Sequence, residues 1–166
     1  MPYTPFHLGP ALFFGLPLRK YMHAPTFFLA NIIVDIEPFI VLVFGLNYPL
    51  HGYLHTFLFA SISGLALGCI IFLVEGVFHG FFKAFLLEEE HPSNVKAFMV
   101  AGISGTLLHV LLDSPLNGNI KPFYPLTFNP FYEPALMLEI YNFCTWTGLL
   151  GAAFYAYLVY RKLLKI

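Results

Sequence analysis

FLFASISGLALGCIIFLV, residues 57–74, runs for 18 residues without a charge. Coiled as a helix, a run of that length matches the hydrocarbon thickness of a bilayer. It is read as a membrane-spanning helix, and it sets the frame for the rest of the chain. The segment reaches back to Tyr53. It continues through Glu75, His79 and Lys83, whose i, i+4, i+8 spacing puts one polar stripe on a helix leaving the membrane.

Four further apolar segments flank it. Pro5 to Leu18 opens with Thr4 as N-cap and Pro5 at the first helical position. At 14 residues it is short for a full span and is expected to be tilted or partly re-entrant. Ala24 to Leu46 is interrupted by Pro38, which removes a backbone donor and disfavours helix at the residue before it. The last two are Ala97 to Asp113 and Ala135 to Tyr160. Between them, Ser114 to Pro134 carries five prolines and Asn117-Gly118, a composition of turns. Loops of that length are often functional.

Composition agrees with this reading. Hydrophobic residues make up 58% and charged residues 10%, with a mean hydropathy of +0.75, whereas soluble domains carry about 25% charge. The 20 Phe and 10 Tyr would leave a soluble fold of this size with a greasy surface. The fold class is therefore an all-α integral membrane bundle of about five helices, in one domain over residues 1–166. A net charge of -1 argues against nucleic-acid partners, which require clustered Lys and Arg. Cys69 and Cys144 lie within apolar spans, where a thiol acts as a small hydrophobe. Gly64 with Gly68 and Gly102 with Gly105 suit close helix contact. No basic residue precedes the first apolar stretch and no small-residue cleavage pattern follows it, so no cleavable signal peptide is expected.

Lys and Arg orient the bundle. Arg19 and Lys20 follow the first segment, Lys83 and Lys96 bracket the third connection, and Arg161, Lys162 and Lys165 follow the last. With five spans these fall on one side, which the positive-inside rule makes cytoplasmic. The N-terminus is then outside. On that path His7, His51 with His55, and His109 with Asp113 all lie at the outer face, and Asp35 with Glu37 lies in the outward half of the second span. The loop Ser114 to Pro134 falls on the same side, where it can cover them.

Ionisable groups at membrane depth are costly unless paired, hydrated or bound to a cation. A single histidine in an apolar helix is more often a packing residue than a ligand. Seven ionisable groups converging at one depth point instead to a metal site. His51/His55 and His109/Asp113 are four apart and so present two ligands each to one point. Imidazole and carboxylate suit zinc, with manganese or iron(II) as alternatives, in one or two ions. The ligand candidates are His7, Asp35, His51, His55, His109 and Asp113. Glu37 is read as general base or further ligand, and Asp35 shares the base role. Thr56 and Ser114 are expected as outer hydrogen-bond partners. Cation, spare carboxylate and the free backbone N–H groups near His7 fit metal-assisted hydrolysis. Because the site lies where a headgroup would reach it, a lipid-linked substrate is expected, in the cell membrane and on its extracytoplasmic side. A competing reading is an ion-coupled or metal-ion transporter using the same residues, and a third is a closed, non-catalytic metal scaffold. His23, His91 and the run Glu88, Glu89, Glu90 read as interfacial, and Glu75 with His79 as a solvated helix face about 36 Å from His55.

The order of motifs, TPFHLGPAL, VDIEP, HGYLHT and HVLLDSP, resembles the membrane-bound metal-dependent hydrolase family of the YdjM type over residues 4 to about 125. Here the second acid of the acidic motif is Glu37 where that family commonly has Asp, and Pro38 follows where a His is usual. The same order is similar to zinc-dependent phospholipase C and the related single-strand nucleases, although their later H-x-x-x-E pair has no counterpart. What the resemblance implies is phosphoester hydrolysis.

Overall fold

The computed structural model describes residues 4–87 and 94–164. The run Glu88 to Glu90, His91 and Lys165 lie outside the described residues. Six helices are present, α1 Thr4–Leu18, α2 Ala24–Ile33, α3 Ile36–Phe44, α4 Phe57–Ala84, α5 Val95–Asp113 and α6 Met137–Leu163, and no strand occurs among the described residues. Since α2 and α3 are two halves of one apolar stretch, the architecture is the expected all-helical bundle of five segments. Four stretches, Ala24–Phe44, Phe57–Ala84, Val95–Asp113 and Pro134–Leu163, are long and apolar enough to cross a membrane, and the chain is a multi-pass membrane protein. α1, at 15 residues, is about 22 Å long and falls short of the hydrocarbon thickness.

Local sequence explains the boundaries. Thr56 caps α4 by accepting a hydrogen bond from the Phe59 N–H at 3.2 Å, and Asn94 caps α5 through the Lys96 N–H at 3.0 Å. His23 caps α2 through the Thr26 N–H at 3.3 Å. His23 is fully buried, stacked on Phe98 with ring centroids 4.1 Å apart. Burial, with repulsion from His79, pushes its pKa down to about 4. Glu75 and His79 depart from expectation: they pair at 2.9 Å with side chains only 13% and 26% exposed, so that stripe is largely covered.

The helices pack in the order α4, α5, α2, α1, α6. Lipid tails are as apolar as leucine, so burial does little to draw these helices together and close backbone approach matters more. A Cβ at Gly64 would come within 2.5 Å of the Gly102 carbonyl, which is why α4 and α5 touch backbone to backbone. Gly105, by contrast, meets α2, where a Cβ would be 2.7 Å from the Phe27 carbonyl. α3 makes no extensive contact with another helix, and Phe39, Leu42 and Phe44 are 63 to 70% exposed.

Charge divides the two ends. Lys162 Nζ donates to the Ala84 carbonyl at 3.1 Å and the Tyr155 hydroxyl to the Phe85 carbonyl at 2.9 Å, joining the far ends of α4 and α6. Arg19 lies 5.9 Å from the Phe154 ring centroid, and Lys20 and Lys96 line one cavity. His7, Asp35, Glu37, His51, His55, His109 and Asp113 gather at the other end, whereas His23, Glu75 and His79 stay with the cations.

Candidate metal centre

The centre begins with a fault in a helix. Pro38 has no N–H to donate to the Val34 carbonyl, and its ring would clash with that carbonyl in a regular helix. The chain responds four residues earlier: Asp35 N–H bonds Ile32 O at 3.0 Å and Glu37 N–H bonds Val34 O at 3.4 Å, tightened i→i−3 turns that end α2 and start α3. Asp35 sits in this break. His55 ends a short 3-10 turn, Tyr53–His55, ahead of α4. His109 and Asp113 share a face on the last turns of α5, and Thr106, one turn earlier, ties α5 to α4 through the Ala60 carbonyl at 2.8 Å.

Asp35, His55, His109 and Asp113 each offer a donor atom within 4.8 Å of the others, a group that could hold a metal ion. His109 Nε2 lies 3.3 Å from Asp35 Oδ1 and 3.7 Å from Asp113 Oδ2, and His55 Nε2 lies 3.9 Å from each of those oxygens. Bonds of about 2.0–2.2 Å to a tetrahedral ion place its ligand atoms roughly 3.3 Å apart, so modest contraction would close the set.

Outer contacts aim these rings. His109 Nδ1 donates to the Asn31 carbonyl at 2.8 Å, and His55 Nδ1 donates to Glu37 Oε2 at 3.1 Å. A proton on Nδ1 leaves the Nε2 lone pair toward the cluster, the arrangement in which an outer acceptor fixes a ligand's tautomer. The Nε2 atoms of His55 and His109 are buried without a hydrogen-bond partner. Such atoms are costly to bury unless something else binds them, and this donor set fits a divalent cation. Burial pushes the His55 imidazole down, but its interactions with Asp35 and Glu37 and the charge of Asp113 outweigh that and raise its pKa. The field here favours positive charge.

His7 and His51 stand beside this set of four. His7 stacks on His109 with centroids 4.1 Å apart, and its Nε2 is 3.2 Å from Asp113 Oδ1, the oxygen other than the one nearest His55 and His109. His51 meets the His55 ring edge-on at 4.7 Å, and its Nδ1 is 3.1 Å from Asn119 Oδ1. Burial and repulsion from His55 hold its pKa below the usual histidine value.

Glu37 takes a position different from that of a general base. Its Oε1 accepts from the Tyr48 hydroxyl at 3.1 Å and the Leu54 N–H at 3.3 Å. Its Oε2 accepts from the Gly52 N–H at 2.9 Å as well as from His55. Both oxygens are engaged on the side of His55 away from the cluster. Thr56 and Ser114 also differ from outer partners: Thr56 bonds the Tyr53 carbonyl and the Phe59 N–H, and Ser114 the Val110 carbonyl. The outer contacts come instead from Glu37, Asn31 and Asn119. Asn31 acts through its backbone carbonyl, a contact that its side chain does not announce.

The Ser114 to Pro134 loop lies over this end. Asn129 Nδ2 donates to the Ser114 and Asn117 carbonyls at 2.7 and 3.1 Å, the Phe57 N–H donates to the Pro122 carbonyl at 2.9 Å, and Ile120 is fully buried. No family model, curated protein or solved structure matches the chain.

Proposed function

We propose that this chain is a membrane-embedded metal-dependent hydrolase, of the YdjM-like kind its motif order resembles, acting on an ester or phosphoester of a lipid-linked substrate. One observation carries the reading: two histidines anchored through Nδ1 turn their Nε2 atoms toward two carboxylate oxygens at one end of a transmembrane bundle. Asp35, His55, His109 and Asp113 would hold the ion, with His7 placed to extend the set through the second oxygen of Asp113. Zinc suits these donors best, with manganese or iron(II) as alternatives. A divalent cation there would polarise a substrate oxygen and make a water easier to deprotonate. Asp35, at 19% side-chain exposure, is the cluster member most open to the outside, and it is the residue we assign to proton acceptance. Glu37 holds His55 in register. The site faces the extracytoplasmic side of the cell membrane.

A transporter reading draws on the buried polar group at the far end, His23 with Glu75 and His79. A relay needs ionisable groups between the two ends. On α4, Phe57 to Glu75 rises about 27 Å with no ionisable side chain except Cys69 before Glu75.

The test is elemental analysis of the purified protein, with hydrolysis of a generic phosphodiester measured alongside. Wild type should carry at least one divalent transition metal, and His109→Ala/Asp113→Ala should lose both metal and turnover. Unchanged metal stoichiometry in the double variant would overturn the assignment. Metal-dependent ion flux in proteoliposomes without hydrolysis would favour the transporter.

A further inference from the structure

A cavity of about 380 Å³, within the range of about 300–1,000 Å³ that small-ligand sites occupy, opens beside the cluster and is lined by Tyr48, His51, Tyr53, Asn119, Lys121 and Tyr124 among others. His51 is the wall shared with the centre, since its ring meets His55 edge-on at 4.7 Å. The cavity therefore stands one imidazole away from the candidate ligands.

Lys121 is the odd cation of the chain. The other six Lys and Arg among the described residues lie within or just beyond the helix ends at the far side of the bundle, and Lys121 alone of them is in the loop over the centre. Among the described residues it forms no ion pair, although Asp35, Glu37 and Asp113 lie at the same end. A positive charge kept exposed at a cavity mouth, unneutralised by nearby acids, is a countercharge for something that arrives. Thr56, which also lines the cavity, is the residue immediately before α4 begins to cross, so the cavity lies at the level of lipid headgroups. Its tyrosines fit that depth: Tyr53 and Tyr124 meet edge-on at 5.3 Å and are 48% and 37% exposed, as residues of a membrane-interface aromatic belt would be.

On the hydrolase reading, we propose that this cavity receives the phosphate of an anionic amphiphile, and that Lys121 is the residue selecting for its negative charge. The Asn119 amide N–H and the Tyr53 and Tyr124 hydroxyls supply polar contacts around the headgroup, the Tyr48 hydroxyl being held by Glu37, and the acyl chains remain in the leaflet beside α3 and α4.

The experiment is native mass spectrometry of the full detergent-solubilised chain titrated with dioleoyl phosphatidic acid, dioleoyl phosphatidylcholine or inorganic phosphate, with metal content measured on the same samples. Wild type should prefer phosphatidic acid over phosphatidylcholine by about tenfold, the worth of one charge-assisted contact. Lys121→Gln should bring the preference to within about twofold, while Lys121→Arg and Lys96→Gln, at the far end, keep it. Equal binding of the two lipids by wild type, or an undiminished preference in Lys121→Gln, would overturn the proposal. Inorganic phosphate displacing phosphatidic acid at equal concentration would show a pocket for soluble phosphate and overturn the lipid assignment. A metal-free wild type that still prefers phosphatidic acid would refute the hydrolase and leave the headgroup pocket standing.

Discussion

Each imidazole of the centre has two nitrogens, and the protein fixes the function of one by occupying the other. For His55 the occupying group is Glu37, whose four hydrogen bonds hold the ring and the turn before α4 together. Glu37→Gln replaces one acceptor oxygen by an amide N–H facing backbone or imidazole donors. Metal affinity should fall by roughly 10–100-fold, as when other outer partners of ligands are lost, and activity should return when metal is added to saturation. Asp35→Asn should behave differently, staying slow by about 10²- to 10⁴-fold at saturating metal because a proton acceptor has gone. Turnover measured against metal concentration separates the two, and a Glu37→Gln defect that metal does not repair would restore Glu37 as the base. His109 and Asp113 were legible as a pair because their i, i+4 spacing falls on α5. His51 and His55 both precede α4, so their equal spacing forms no helix face and only His55 joins the set of four. The Asn31 carbonyl was not legible, since a backbone oxygen leaves no mark in sequence, and neither was the separation of Glu37 from Asp35, which lie at opposite nitrogens of the His55 ring.

At the scale of elements, the break between α2 and α3 is the feature on which the centre depends. Pro38 announced a fault, but the fault lies at Val34 and Asp35, because proline disturbs the carbonyl four residues before it. Pro38→Ala returns the missing donor. The stretch Ala24–Phe44 should then run more nearly straight, carrying Asp35 away from His109, and metal stoichiometry should fall while helix content by circular dichroism holds or rises. Full metal retention in Pro38→Ala would mean that packing against α5, and not the proline, sets the break. Helix existence was readable from hydropathy throughout. The packing order was not, because in a bilayer every apolar face looks alike to the solvent, and neighbours are chosen by close approaches such as Gly64 on Gly102.

The molecule is polarised: among the described residues every Lys and Arg but Lys121 lies at one end, and the candidate centre lies at the other. That partition was visible in the order of Lys and Arg alone, and the contacts of Lys162 with Ala84 and Arg19 with Phe154 agree with it. By the positive-inside rule the cation end is expected to face the cytoplasm. In a background of Cys69→Ala and Cys144→Ala, a cysteine at exposed Phe128, in the loop over the centre, should react with a membrane-impermeant maleimide applied to intact cells. One at Tyr21, 78% exposed and next to Lys20, should react only after lysis. The reverse pattern would put the centre in the cytoplasm, with the chemistry of the cluster unchanged.

α3 leaves the bundle just past Asp35, with Phe39, Leu42 and Phe44 uncovered by any other helix. An apolar arm beside the mouth of a site makes the leaflet itself the reservoir from which molecules arrive, sideways and already oriented. Encounter is then two-dimensional. On the proposed reading, a hydrolase acting on a lipid-linked substrate, diluting the suspension would change little, whereas diluting the substrate among other lipids would slow the reaction. The concentration governing such a rate would be a mole fraction within the membrane surface.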